Sequence, residues 1–307
     1  MAVSMAIDRR DAASSSRLEP VASGYVYHFA CMASPCEVRM ETLDESLALH
    51  LGEIAEREAR RIEAKYSRYR DDSVLSRINA SGGRPVDLDE ETAGLVDFAD
   101  QCWKISGGRF DITSGVLRRV WRFDGSDRVP TREEVRALKP LIGWSKVVWR
   151  APDLILPEGM ELDFGGLGKE YAVDRALMLI ANESDTPALV NFGGDLRVSG
   201  PRRAGGRWRA AIESASAPGQ SEGVIEIAAG ALTTSGDARR FLLKDGVRYS
   251  HILDPRTGWP VKDPPHSVTV AAPTCIEAGF LSTLAMLHGR KAEAFLKAEG
   301  VKAWWMR

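Results

Sequence analysis

The sequence predicts an α+β fold, an antiparallel-rich sheet with long helices packed on it. Residues 44–69 place Leu47, Leu51, Ala55, Ala59, Ile62, Tyr66 and Tyr69 three or four apart, the spacing of one helix face. Short apolar or alternating stretches bounded by Gly, Pro or Asp recur at 24–41, 187–200, 207–214, 223–228 and 267–273, as strands do. Turn signals at Gly193-Gly194-Asp195 and Lys244-Asp245-Gly246 join neighbouring strands directly, as in hairpins.

The 307 residues suffice for one large or two ordinary domains. Residues 1–22 are Ala- and Ser-rich, charged and aperiodic, and read as a disordered segment before one domain over 23–307. A net charge of −2 gives no global field for nucleic acid or an anionic membrane, so any anion-binding charge must be local. Cys31, Cys36, Cys102 and Cys275 have no C-x-x-C pairing and read as free thiols in a reducing compartment. Asp8, Arg9, Arg10 and Asp11 interrupt the start, so no signal peptide, membrane span or lipid anchor at Cys31 is expected, and the cytoplasm is the expected location.

Taken in order, 24–41 reads as a strand pair around Ser34-Pro35 and 44–69 as the long helix. A second helix over 90–106 has Leu95, Phe98, Ala99 and Cys102 on one stripe and stops at Gly107-Gly108. Trp121 to Gly125 is an aromatic loop suited to lie over a planar ligand. Thr131 and Glu134 form a capping box for a helix to Leu138. Two strands over 146–156 turn at Ala151-Pro152. Residues 161–181 read as a strand, a Gly-rich bend and a helix, a layout that offers free N–H groups to an anion. Loops are expected at 202–206 and 214–222. The end carries a helix over 276–288, another over 290–299, and Trp304 and Trp305, left to pack on the sheet or on a second copy of the chain, a homodimer.

Polar groups crowd into 229–263. Thr234, Ser235 and Gly236 suggest a hydroxyl-rich phosphate nest. His251 ends a strand before Asp254-Pro255-Arg256-Thr257-Gly258 and is the best general-base candidate, its ordinary pKa of about 6.5 suiting the task. The blander readings are a turn at 254–258 and a His hydrogen-bonded to Asp254. Lys169 is either a point charge for a pyrophosphate or a solvated helix residue. Asp111 is either an acceptor for a ribose or adenine donor or the cap of a turn through Thr113 or Ser114.

In order, MASPCEV, YSRYRDDSVLSRIN, FDITSGVL, LDFGGLGKEYAVD, VNFGGDLRVSG, TTSGD, YSHILDPRTGWPV and SVTVAAPTCIEAG run through the chain. Together they resemble the ApbE family, FAD:protein FMN transferases, over about residues 23–303. The resemblance implies a duplicated T-fold-like architecture. It implies an FAD site at Met32, Tyr69, the Arg109-Phe110-Asp111 segment, Lys169, Thr234, Ser235, His251 and Ile252. It implies Mg²⁺ held by the Gly166 carbonyl, Thr283 and an Asp one turn before that Thr. In this sequence that position is Gly279, and Glu277 lies on another face of the helix, so the metal site is one carboxylate short and Gly279→Asp is expected to strengthen it. Glu170 stands where relatives often have Gly and is expected to crowd an anion.

The reading is an Mg²⁺-dependent FAD:protein FMN transferase in which His251 and Lys169 serve catalysis. FMN passes from FAD to a Thr or Ser of an acceptor protein, and AMP leaves. A non-catalytic FAD-binding or carrier protein, favoured by Gly279, and an FAD pyrophosphatase stay open.

Overall fold

The computed structural model describes residues 16–213, 221–237 and 240–307. An eight-stranded sheet organises it. Its strands are β1 (Arg17–Val21), β2 (Gly24–Cys31), β3 (Ser34–Met40), β4 (Ala188–Phe192), β5 (Asp195–Val198), β6 (Gly230–Gly236), β7 (Ser267–Ala272) and β8 (Lys302–Met306). They lie side by side in chain order, and every neighbouring pair is antiparallel. The mixed fold with an antiparallel sheet is therefore as the sequence predicted.

Because successive strand residues point to opposite faces, the sheet carries two cores. Val38, Val190 and Phe192 face the helices, with α1 (Glu45–Tyr66) among them. On the other face Leu189, Leu196 and Leu232 meet Trp208, Ile225 and Ile227 of the hairpin formed by Trp208–Glu213 and Ser221–Ile227. A third cluster, Val116, Leu117, Trp121, Val135 and Leu242, seats the hairpin of Phe241–Lys244 and Val247–Ser250 against the segment from 115 to 142.

The remaining helices are α2 (Val74–Asn79), α3 (Glu90–Ile105), α4 (Arg132–Leu138), α5 (Gly168–Glu183), α6 (Cys275–Leu287) and α7 (Ala292–Ala298). Local chemistry sets their ends. Asp44 caps α1, Asp89 caps α3, and both Thr131–Glu134 and Thr274–Glu277 form capping boxes. Glu277 is thus occupied in the cap.

Several boundaries differ from the sequence expectation. Residues 17–21 were expected to be disordered, yet they pair along β2 as β1, and Leu18 packs on the core. Residues 1–15 lie outside the described residues. The β2–β3 turn sits at Met32-Ala33, both with positive φ (53° and 54°), one step before Ser34-Pro35. Strong right-handed strand twist favours such mirror-type two-residue turns. At 161 there is only a bridge from Ser114 to Glu161 rather than a strand. The loop expected over 214–222 lies outside the described residues except Ser221 and Glu222, which are strand. Trp304 and Trp305 fall in β8. Trp304 packs on the second core, and Trp305 is 38% exposed at the sheet edge. The four cysteines are buried and free, and burial pushes Cys36 and Cys102 up to about 12, so neither is a ready nucleophile. Among the described residues no helix is long and apolar enough to cross a membrane.

Candidate functional site

Helices α5 and α6 run in opposite directions, and three levels of contact, one turn apart, fix their register. At the first, Asp174 Oδ1 accepts the Cys275 N–H at 2.8 Å and Oδ2 accepts the Ile276 N–H at 2.9 Å. The carboxylate thereby satisfies donors that a helix start leaves open. Arg197 holds it from the sheet at 2.9 Å.

At the second level Glu170 lies against Gly279. A Cβ at 279 would stand 2.6 Å from Glu170 Cγ, 3.2 Å from Cδ and 3.3 Å from Oε1. The Glu170 side chain fills the space that a side chain at 279 would take. Glu170 is buried, and its Oε2 accepts no hydrogen bond among the described residues.

The third level joins the Gly-rich bend to Thr283. Gly166 has φ +81°, a left-handed conformation that suits glycine. A Cβ there would come within 3.2 Å of Thr283 Oγ1 and 3.7 Å of Phe110 Cε2. Ser235 on β6 completes this level: its Oγ is 3.1 Å from Thr283 Oγ1 and 2.8 Å from Ser282 Oγ. The structure brings together Gly166, Ser235 and Thr283, which are far apart in sequence.

Thr234 and Ser235 do not form the expected nest. Both are in β6, where side chains alternate between the two faces, and the Thr234 N–H goes to Asp195 Oδ1 at 3.3 Å. Ser235 turns toward α6, whereas Thr234 Oγ1 is 2.8 Å from Thr269 Oγ1. Lys169 is not a solvated point charge. It pairs with the buried Asp195 and donates to the Phe192 carbonyl at 3.1 Å. Asp195 was missed because a Gly-Gly-Asp turn reads as turn chemistry alone.

Asp111 makes the turn cap that the sequence offered as one of its two readings. Its Oδ1 accepts from the N–H and hydroxyl of Thr113 at 2.9 and 2.6 Å, and its Oδ2 from the Trp144 N–H at 2.9 Å. A carboxylate so engaged holds the loop, and little is left for a ribose. The Phe110 ring is buried edge-on to Phe280, with centroids 5.5 Å apart. The half-buried Arg109 side chain makes no hydrogen bond or ion pair with the described residues, and its charge acts on Asp254 and His288.

Tyr69 lies beyond the end of α1 and is 76% exposed. Arg68 stacks over its ring at 5.0 Å, donates to its hydroxyl at 2.8 Å and pairs with Asp163 of the Gly-rich bend. That pairing spans 95 residues and left no trace in the sequence. Met32 sits on the hairpin turn, half-buried against the core, with its N–H donated to Glu63 Oε1 at 2.8 Å.

His251 follows the 247–250 strand. Its Nδ1 lies 3.0 Å from the Arg240 carbonyl. A carbonyl only accepts, so Nδ1 carries the proton and Nε2 keeps its lone pair. The partner expected from sequence, Asp254, is instead bound bidentately by Arg256 at 2.9 and 2.6 Å. Burial first, and then the Arg240 charge, lower the His251 pKa to about 4. Asp237, just past the end of β6, acts on the same ring. Thus the Arg240 charge acts on both His251 and Tyr69. Ile252 packs between two cores, and its carbonyl takes the Val261 N–H at 3.1 Å.

We expect the His251 ring to titrate near pH 4 by NMR. The unfolded chain takes up this proton below about pH 6.5, so the histidine's contribution to stability is intact above that pH and is lost as pH falls through about 4. Titration at the ordinary value would mean that water reaches the ring freely.

The ApbE family profile matches residues 32–305. The chain belongs to the ApbE family. Among curated members, it is 34% identical to an FAD:protein FMN transferase of Vibrio cholerae serotype O1, over 75% of this chain and 71% of the relative. It is 33% identical to one from Salmonella typhimurium, over 76% and 70%. Two ApbE crystal structures share the fold. The Thermotoga maritima ApbE protein gives a TM-score of 0.84 at 28% identity, covering 95% of this chain and 94% of that one. The apo form of the Pseudomonas stutzeri flavinyl transferase ApbE gives 0.81 at 29%, covering 95% and 92%. Of the positions named from sequence, Gly166, Ser235 and Thr283 meet in the structure. Sequence reasoning presents Glu170 only as an intrusion, because its distance from Gly279 in the chain hides their contact.

Proposed function

We propose that this ApbE member is an FAD:protein FMN transferase. A Thr or Ser hydroxyl of an acceptor protein attacks the phosphorus next to riboflavin. The new bond joins that oxygen to phosphorus, the bridging P–O bond breaks, and AMP leaves with the bridging oxygen. His251 Nε2 takes the hydroxyl proton. The observation that carries the reading is this imidazole, anchored through Nδ1–H on the Arg240 carbonyl with Nε2 left free to accept a proton. The names of the Vibrio and Salmonella relatives support the same assignment.

In this reading FAD lies along Met32, Tyr69, the 109–111 backbone and Ile252. Arg109 meets a phosphate, while Lys169 fixes the bend through Asp195. The oxygens of Gly166, Thr283 and Ser235 are hard donors of the kind Mg²⁺ takes, and one turn away the Glu170 Oε2, without a partner among the described residues, fits a cation. Mg²⁺ would be held by the Gly166 carbonyl and the Thr283 hydroxyl, and when bound it supplies charge neutralisation at phosphate oxygens. The carrier reading rested on the gap at Gly279, and the Glu170 carboxylate in that space removes its main support. Four buried free thiols suit a reducing location such as the cytoplasm.

The test is incubation of the protein with FAD, Mg²⁺ and an acceptor peptide bearing Thr or Ser, read by flavin fluorescence of the denatured peptide. Covalent flavin with stoichiometric AMP is expected. Free FMN and AMP would assign hydrolysis instead, and intact bound FAD would assign a carrier.

A further inference from the structure

We propose that Glu170 is the metal-binding carboxylate of this chain, delivered from α5 into the space that Gly279 leaves open on α6. Resting on the transferase reading, the inference concerns how this particular chain completes the cation site.

The argument begins with solvation. A buried carboxylate is costly unless a cation or several donors meet it. Other buried acids follow that rule: Glu41 meets Arg202, Glu58 meets Arg61 and Arg175, Glu161 meets Arg118 and Arg119, and Asp195 meets Lys169. Glu170 is only 6% exposed, its Oε2 accepts nothing, and it enters no ion pair among the described residues. A missing positive partner is the simplest completion of that environment.

Geometry says where the partner sits. Asp174 locks the helix pair one turn to one side of Glu170, and Gly166 meets Thr283 one turn to the other. The carboxylate therefore borders the wall that holds the Gly166 carbonyl and the Thr283 and Ser235 hydroxyls. With about 1.5 Å of rise per helical residue, that level is about 6 Å away along the axis, a span the flexible glutamate stem helps to cover. Hard oxygens with one carboxylate suit Mg²⁺ or Mn²⁺, which retain waters as further ligands.

The two residues also depend on each other. Adding a Cβ at Gly279 puts it 2.6 Å from Glu170 Cγ. Gly279→Asp alone, which the sequence suggested would strengthen the site, must displace Glu170 and set two carboxylates together. The exchange Glu170→Gly with Gly279→Asp moves one carboxylate from helix to helix and loses one methylene.

The experiment uses full-length protein stripped with a chelator, titrated with Mn²⁺ by paramagnetic resonance and with Mg²⁺ by calorimetry, with and without FAD. Glu170→Gln is expected to weaken metal binding about 10–100-fold. The same variant should raise the melting temperature of the chelated protein, because an unpaired buried charge is gone. The double exchange should regain metal affinity to within about 10-fold of the original, an expectation scaled to the loss of one ligand shell contact. Unchanged metal affinity in Glu170→Gln, or no metal uptake by the original chain with FAD bound, overturns the proposal. FAD binding is measured separately: its absence would sink the transferase reading, whereas FAD binding with metal affinity indifferent to Glu170 would sink this inference alone.

Discussion

Replacing His251 by alanine is expected to lower FMN transfer by about 10²–10⁴-fold, the usual contribution of a positioned proton acceptor, while FAD binding stays nearly unchanged. The expectation comes from the protonation state. With its pKa held at about 4, the imidazole is neutral at pH 7. It therefore offers no charge to a pyrophosphate, and little binding energy should vanish with it. What disappears is the Nε2 lone pair, since Nδ1–H is spent on the Arg240 carbonyl. A low pKa makes a weak base, but one that is almost wholly in its working form. The acid limb of kcat/KM, which reports the free enzyme, should accordingly lie well below the ordinary histidine value, with activity lost as pH falls through about 4. Calorimetry with FAD and a quenched transfer assay on the same preparation separate the alternatives. A parallel collapse of FAD affinity and transfer would make His251 a ligand contact or a structural residue instead.

The fold was legible where a residue's neighbours in sequence are also its neighbours in space. The stripe from Leu51 to Tyr66, the Thr131–Glu134 box and the turn at Asp245-Gly246 depend on spacing of one to four residues, and the structure has them all. Spacing failed for β1, whose order comes from pairing along β2 and not from its own composition. In the candidate site, Ser235 and His251 stood out by their hydroxyl and imidazole chemistry, whereas Gly166 and Thr283 came only from the family resemblance. Asp195, Arg68 and Glu170 did not stand out, because an acid or a base declares its partner only through the fold: Lys169 for Asp195, Asp163 for Arg68, and the open flank of Gly279 for Glu170. For Asp111 the cap through Thr113 was legible two residues away, whereas the Trp144 N–H that also occupies it comes from 33 residues away.

Lys169→Met should destabilise the protein by about 3–5 kcal/mol, the range for removing one member of a buried ion pair. Asp195 is 3% exposed, and among the described residues it has, apart from Lys169, only the Thr234 N–H at 3.3 Å. Without the ammonium group its carboxylate is left nearly unpaired between α5 and the sheet. The loss should appear in urea unfolding at neutral pH. Adding Asp195→Asn removes the stranded charge, so the double variant should recover most of the stability. That rescue separates the structural pairing with Asp195 from the phosphate contact that the sequence suggested for Lys169. If transfer returns with stability, the lysine acts by holding the Gly-rich bend through Asp195. If the rescued protein folds normally but transfers FMN slowly, the ammonium group also meets a phosphate. An unfolding midpoint unmoved by Lys169→Met would mean that the pair does not hold the bend, and the account of how α5 is anchored to β5 would have to be replaced.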